Sequence, residues 1–248
     1  MTQSSELMPN SNSPEAQLDY KQLLVELIAL DRQYKDKVDL NTVVPHFLHL
    51  QSLIRCSVEH CEGAIAEVDA GRTLSGMALT RIAFDHVILA SYLFQSTEGP
   101  DASKWILQKN NRELARDAVR AGATENGKNL LDFAERESID IDGVKTKTSK
   151  IIKLFQEREA LELLYSLLSQ AVHPNAAPSF YIGLAEETGE RQIRRTSLYR
   201  DSHSVEPFIF QILAVAVLLD ADLRSDSNIR TQVLGLVGSN KVIPELTL

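Results

Sequence analysis

Apolar residues recur at spacings of three and four over most of the chain, which is the period of an amphipathic helix. In the first such stretch the apolar positions include Leu23, Leu24, Leu27 and Ile28. Comparable stretches predict helices over about 15–37, 43–70, 73–95, 101–121, 149–172 and 204–223, with shorter ones around 130–137 and within 225–248. The sequence therefore predicts an all-α fold, a bundle of six or seven helices with more than about 60% helix.

Two stretches depart from this pattern in opposite ways. The stretch 73–95 is apolar on most sides, which is typical of a helix at the centre of a bundle. Residues 179–198 form two short extended runs around a polar turn containing Gly189, an arrangement compatible with a small β-hairpin.

The same pattern predicts how the chain is organised. Residues 1–14 are polar and predict a disordered tail, residues 15–230 a single helical domain, and residues 231–248 a short C-terminal tail. The polar start has no apolar stretch of signal-peptide length. The most apolar window, 207–219, is shorter than the about 20 residues that cross a membrane. We therefore expect a cytoplasmic protein without a membrane partner.

Charge and cysteine content narrow the classes of function. Lys and Arg total 26 against 34 Asp and Glu, which gives a net charge of −8. This balance argues against a broad nucleic-acid-binding surface, so RNA is expected to bind only at a local basic groove. Two cysteines cannot build a disulfide framework, and they fit a reducing compartment.

Two sets of polar residues lie at helical spacing within apolar stretches. Arg81 and Asp85 are four apart and share one helix face, and a buried Arg needs an anionic partner. Tyr165, Ser169 and His173 are spaced four and four on another stretch, so they also share one face. Each set is compatible with a structural role inside the bundle. Buried polar groups need partners, so we predict that the two sets face each other, with Ser169 or His173 within hydrogen-bond reach of Arg81 or Asp85. Arg81 can then bind an anion while Ser169 and His173 supply hydrogen bonds, a nucleophile or a proton.

Other chemistry has weaker support in the sequence. His46 and His49 are three apart, but no carboxylate is placed to complete a metal site with them. The chain lacks a Gly-rich phosphate loop, a dinucleotide fingerprint and the paired spacings of a zinc site. We therefore expect neither a metal nor a cofactor.

The motifs resemble those of an uncharacterised bacterial all-helical family, catalogued as a domain of unknown function. The family has an R-x-x-x-E pattern followed later by Y-x-x-x-S-x-x-x-H-P. Here the first corresponds to Arg81 through Asp85, with Asp in place of Glu, and the second to Tyr165 through Pro174. The resemblance covers roughly residues 45–220 and implies a helical fold with a site at these residues.

A second resemblance is to the helical HEPN ribonucleases, through the R-x4-H spacing of Arg81 and His86. It implies metal-independent attack of a 2′-hydroxyl on the scissile phosphate, in toxin–antitoxin or phage-defence systems. Residues five apart on a regular helix point about 140° away from each other, so Arg81 and His86 would not share a face.

These observations leave two classes of function open. The first is a helical binding or accessory protein whose polar core pocket takes a small anionic ligand or a protein partner, with Tyr165 and His86 among the ligand-binding residues. The second is a metal-independent hydrolase or HEPN-like ribonuclease that uses Arg81 with either His173 or His86, and its candidate catalytic residues are Arg81, Asp85, Ser169 and His173.

Overall fold

Helices make up most of the structure. The computed structural model describes residues 19–34, 45–123, 125, 127–129, 131–132, 144–172, 182–187, 190–195, 205–238 and 246–248. Their helices include α1 (Tyr20–Tyr34), α2 (Pro45–Asp69), α3 (Thr73–Gln95), α4 (Gly99–Arg120), α5 (Thr148–Ile151), α6 (Arg158–Val172), α7 (Glu206–Leu223) and α8 (Ser227–Gly238). Residues 125, 127–129 and 131–132, between α4 and α5, are helical as well. Seven of the helices α1 to α8 have twelve residues or more, so the predicted all-α bundle is confirmed for the described residues. The predicted tail at 1–14 lies outside them.

Two strands lie between α6 and α7 in the chain. β1 (Ile182–Glu187) and β2 (Glu190–Arg195) pair antiparallel, with Ile182 opposite Arg195 and Glu187 opposite Glu190. They fall within 179–198, where the sequence is compatible with a hairpin, but residues 188–189 between them lie outside the described part of the chain.

α3 is the central helix of the bundle. It packs against α2, α4, α5, α6 and α7. Side chains all around it are buried, among them Phe84, Val87, Ile88 and Leu93. This agrees with the apolar pattern on most sides of the stretch 73–95. α3 therefore presents its few polar side chains to neighbouring helices, and these contacts position the candidate site.

One glycine allows the sharp turn between α2 and α3, and a second allows the two helices to pack closely. Gly71 has a φ of +73°, a left-handed conformation that glycine adopts at the end of a helix at little cost. Gly76 lies where α3 approaches α2 closely, and a Cβ there would come within 2.6 Å of the Val68 side chain. These residues hold α2 and α3 in close antiparallel contact.

The single helix predicted over 149–172 is wrong. The chain forms the short helix α5, a 3₁₀ turn at Ile152–Leu154 and then an extended residue, Phe155, before α6 begins at Arg158. Phe155 is 3% exposed. The free energy gained by burying this aromatic side chain exceeds the cost of interrupting the helix. No Gly or Pro marks the break in the sequence.

The C-terminal boundary also differs from the prediction. α8 continues to Gly238, so a tail does not begin at 231. The last described residues, Leu246–Leu248, pack against the core through Leu246 and Leu248. A few long-range contacts fix this segment, and such contacts have no periodic signal in the sequence.

One described helix, α3, is long and apolar enough to cross a membrane by length and composition. In the structure 61% of its most apolar window is buried, which is the arrangement of a core helix.

Candidate ligand-binding site

The two polar sets face each other across the contact between α3 and α6. Arg81 Nε donates a hydrogen bond of 3.1 Å to Ser169 Oγ. The prediction that Ser169 or His173 lies within reach of Arg81 or Asp85 is therefore confirmed for Ser169. His173 lies outside the described residues.

Arg81 is enclosed by three kinds of partner. Its side chain is 9% exposed, and its Nη1 forms an ion pair with Asp85 Oδ1 one turn further along α3. Its Cζ lies 4.1 Å from the centroid of the Tyr165 ring, a distance typical of a cation–π interaction. The Tyr165 ring also packs at a tilt against Phe84, with 6.5 Å between ring centroids. The predicted burial of Arg81 and its pairing with Asp85 are confirmed.

Asp85 lies at the solvent side of this arrangement. Its side chain is 40% exposed, whereas that of Arg81 is nearly buried. The Thr148 hydroxyl at the start of α5 donates a hydrogen bond to Asp85 Oδ1. Arg81, Asp85, Thr148, Tyr165 and Ser169 are called the Arg81 cluster below.

A lysine-rich segment carries Thr148. Lys147, Lys150 and Lys153 are exposed and Lys145 is partly exposed. The contact between Thr148 and Asp85 brings this segment to the open side of the Arg81 cluster. Its four lysines lie within nine residues of sequence and give this side of the site a local positive charge, in a chain whose net charge is −8.

His86 faces a different helix from Arg81. Its ring lies 5.4 Å from that of His60 on α2. Burial lowers the pKa of His86 below its usual value, the neighbouring His60 lowers it further, and Asp85 opposes the shift. His86 Nδ1 is buried and has no hydrogen-bond partner among the described residues. Arg81 and His86 therefore do not converge on one point, as their spacing of five residues predicts.

His46 and His49 form no metal site with the residues described. His49 Nδ1 lies 2.5 Å from Ser103 Oγ of α4 in a buried contact. Burial lowers the pKa of both histidines. The described part of the chain holds no group of three His, Cys, Asp or Glu residues that could bind a metal ion.

The structure contains a second arginine cluster, which no pattern in the sequence indicates. Arg55 Nη1 donates to both carboxylate oxygens of Asp31 at 2.6 Å, and its Nη2 donates to Asp220 Oδ2 at 2.6 Å. Arg224 Nε donates to the other oxygen of Asp220 at 3.0 Å. Asp31, Arg55 and Asp220 come from three helices far apart in the chain, so no local spacing signals their contact. These four residues, the Arg55 cluster, tie α1, α2 and α7 together.

An apolar cavity adjoins the Arg81 cluster. Phe84, Ile88, Leu161 and Leu164 line it together with residues of α7 and Leu246. Phe84 also packs on Tyr165, so its ring separates the polar cluster from the apolar cavity.

No protein-family model, no curated protein and no solved structure matches this chain. The resemblances drawn from the motifs therefore stay predictions, and what the site does must be argued from its own geometry.

Proposed function

We propose that this chain is a helical binding or accessory protein whose Arg81 cluster binds a small anion through a carboxylate or phosphate group. The proposal rests on the difference in solvent exposure between the two side chains of the Arg81–Asp85 ion pair. Arg81 is nearly buried, but Asp85, its carboxylate partner among the described residues, is 40% exposed. A buried arginine whose counter-ion is open to solvent can exchange that counter-ion for a ligand.

The donors in the cluster suit an anion. The guanidinium of Arg81 and the hydroxyls of Thr148 and Ser169 can all donate hydrogen bonds. Asp85 now forms the ion pair with Arg81 and accepts a hydrogen bond from the Thr148 hydroxyl. A ligand carboxylate or phosphate offers the same acceptor chemistry as Asp85, and charge-assisted hydrogen bonds to such groups are the strong ones.

The lysine-rich segment favours the same ligand class. Its exposed lysines lie at the open side of the cluster and raise the local concentration of anions.

The alternative, a HEPN-like ribonuclease, requires Arg81 and His86 to act on one phosphate. In this structure Arg81 contacts α6 and His86 contacts α2, so the pair lacks that geometry. The net charge of −8 also disfavours RNA as the main ligand. The binding function is therefore the one that the geometry supports best.

Calorimetric titration tests the proposal with three probes: inorganic phosphate, succinate and a mononucleotide. We expect at least one probe to bind saturably, and the Ser169→Ala and Thr148→Ala variants to weaken it about tenfold or more, since each loses a hydrogen bond to a charged group. Ser57→Ala is the matched control, because Ser57 is a buried serine that bonds the Ala83 carbonyl of α3 outside the cluster. Equal affinity in all variants would contradict the site.

Incubation with pooled RNAs distinguishes the HEPN-like ribonuclease from the binding function. We expect no cleavage that depends on this chain. Cleavage that disappears in both Arg81→Lys and His86→Ala would replace the binding function by the ribonuclease. The sequence also predicts that His173→Ala weakens ligand binding, and the same titration checks this.

A further inference from the structure

The segment Leu246–Leu248 is held by its backbone across the surface of the bundle. The Gln95 side chain at the end of α3 contacts it twice: Nε2 donates to the Leu246 carbonyl at 2.7 Å, and Oε1 accepts from the Leu248 N–H at 3.0 Å. One side-chain amide thus pairs with residues i and i+2 of the segment, which requires that the segment be extended.

The middle residue is bound in the same manner from the other side. The Thr247 N–H donates to Glu157 Oε2 at 3.1 Å, and the Thr247 carbonyl accepts from the Gln156 N–H at 2.9 Å. Four consecutive backbone polar groups of the segment are therefore paired with the body of the protein. Contacts of this kind recognise an extended main chain whatever its side chains are, as strand addition does.

Side-chain selectivity comes from Leu246. It lines the apolar cavity beside Phe84 and also a second cavity bounded by Ser91, Phe94 and Leu218. Leu246 therefore lies at the junction of two cavities between α3 and α7, where a large apolar side chain is favoured over a polar one.

Gln156 and Glu157 can contact the segment because the chain is not helical between α5 and α6. Phe155 is extended and buried, and the residue after it, Gln156, gives its N–H to Thr247 instead of to a helical carbonyl. In an uninterrupted helix that N–H would be used within the helix. The chain thus departs from regular helix at the place where it exposes a donor to the segment.

We propose that this groove is a recognition site for an extended, leucine-containing peptide, and that Leu246–Leu248 occupies it as a reversible ligand supplied by the chain itself. The groove consists of Gln95, Gln156, Glu157 and the two cavities that meet at Leu246. The bound segment is short, and its hydrogen bonds to Gln95 and Glu157 are exposed, so each contributes modestly. Occupancy depends on the high effective concentration of a segment within the same chain, and a peptide in solution competes with it.

The test uses a fluorescent peptide with the sequence of residues 242–248, VIPELTL, and the full-length chain throughout. In Leu246→Asp the internal segment loses its apolar anchor, and we expect the peptide to bind this variant at least ten times more tightly than the unaltered chain. A peptide carrying the same Leu246→Asp change should not bind.

Two further variants separate recognition from loss of folding. Thr247→Pro removes the N–H that Glu157 accepts while it keeps Leu246, and it should also increase peptide affinity about tenfold. Adding Gln95→Ala to either variant should reduce peptide affinity about tenfold. Gln22→Ala is the matched control, since Gln22 is an exposed helical glutamine that bonds Glu26 of its own helix.

Failure of the peptide to bind folded Thr247→Pro at millimolar concentration would overturn the proposal. Binding to Thr247→Pro that is unchanged by Gln95→Ala would overturn it as well. These outcomes do not depend on the anion-binding function of the Arg81 cluster, because none of these variants changes a residue of that cluster.

Discussion

The two buried arginine clusters differ in how completely their charges are compensated. Arg55 is held by two carboxylates, those of Asp31 and Asp220, and both side chains are 4% exposed. Within the described part of the chain Arg81 has one carboxylate partner, Asp85, which is 40% exposed, and it also contacts a hydroxyl and an aromatic ring. Both clusters lie inside the same bundle, so they differ in how their charges are paired and in how far solvent reaches their carboxylates.

This difference indicates different roles. Arg55, Asp31, Asp220 and Arg224 form a set of two cations and two anions that joins three helices, and both of its carboxylates are buried. Burial raises the pKa of Asp31, and the charge of Arg55 opposes that shift. Such a network stabilises the native arrangement only while it is complete. The Arg81 cluster is open to solvent at Asp85, and a buried cation with an accessible counter-ion suits a site that exchanges anions.

The largest expected effect is the loss of stability when the Arg55 cluster is broken. Asp220→Ala should reduce the free energy of unfolding by about 3–5 kcal/mol, because two largely buried guanidinium groups lose the carboxylate they share. Chemical denaturation measures it. Asp117→Ala is the control, because the Asp117–Arg120 pair is exposed and should contribute at most about 1 kcal/mol. Similar losses in the two variants would contradict a structural role for Asp220.

Asp85→Ala should have a smaller effect. From the sequence alone, a fully buried pair predicts about 3–5 kcal/mol. In the structure, water reaches Asp85 and Ser169 still bonds Arg81, so we expect about 1–2 kcal/mol. If the loss equals that of Asp220→Ala under the same denaturation conditions, the two clusters do not differ in the way described above.

Tyr165→Leu isolates the aromatic partner of Arg81. Leucine keeps much of the apolar volume but removes the π face that lies 4.1 Å from the guanidinium carbon. We expect a loss of about 0.5–1 kcal/mol in the same denaturation assay. In the Asp85→Ala background the loss of stability caused by Tyr165→Leu should be larger, because Tyr165 and Ser169 are then the remaining described partners of Arg81. If the losses of the two single variants simply add in the double variant, the ring and the carboxylate act independently.

The pH dependence of stability probes the opposite side of α3, at His86. Burial lowers the pKa of His86 in the folded protein, whereas an unfolded histidine titrates near about 6.5. Below that pH the unfolded chain binds more protons, so the free energy of unfolding should fall as the pH decreases from about 7.5 to 5.5. His86→Asn should flatten this slope. An unchanged slope in the variant would assign the effect to other groups, His46 and His49 first.

Much of the fold and part of the site follow from local patterns in the sequence. Helical periodicity predicts the all-α class and the central place of α3. The spacing of Arg81 with Asp85 and of Tyr165 with Ser169 predicts two faces that meet, because a polar stripe in an apolar setting must find a partner. The break at Phe155, in contrast, arises from the burial of one side chain and leaves the periodicity intact.

Long-range pairing had no local signal. Arg55 and Asp220 are separated by 165 residues, and the charged neighbours that each has at helical spacing do not indicate that the two meet. The docking of Leu246–Leu248 depends on a glutamine side chain 151 residues away from Leu246. Spacing along one helix carries no information about such contacts.

The most direct test of the central claim observes both arginines in one experiment. Inorganic phosphate, succinate and the mononucleotide are titrated into ¹⁵N-labelled protein, and the Nε–H signals of Arg81 and Arg55 are followed by NMR, assigned through Arg81→Lys and Arg55→Lys. We predict a saturable shift of the Arg81 signal with at least one ligand and a stationary Arg55 signal. If Arg81 stays unchanged with all three ligands, or if both signals move together, the Arg81 cluster is not the anion site.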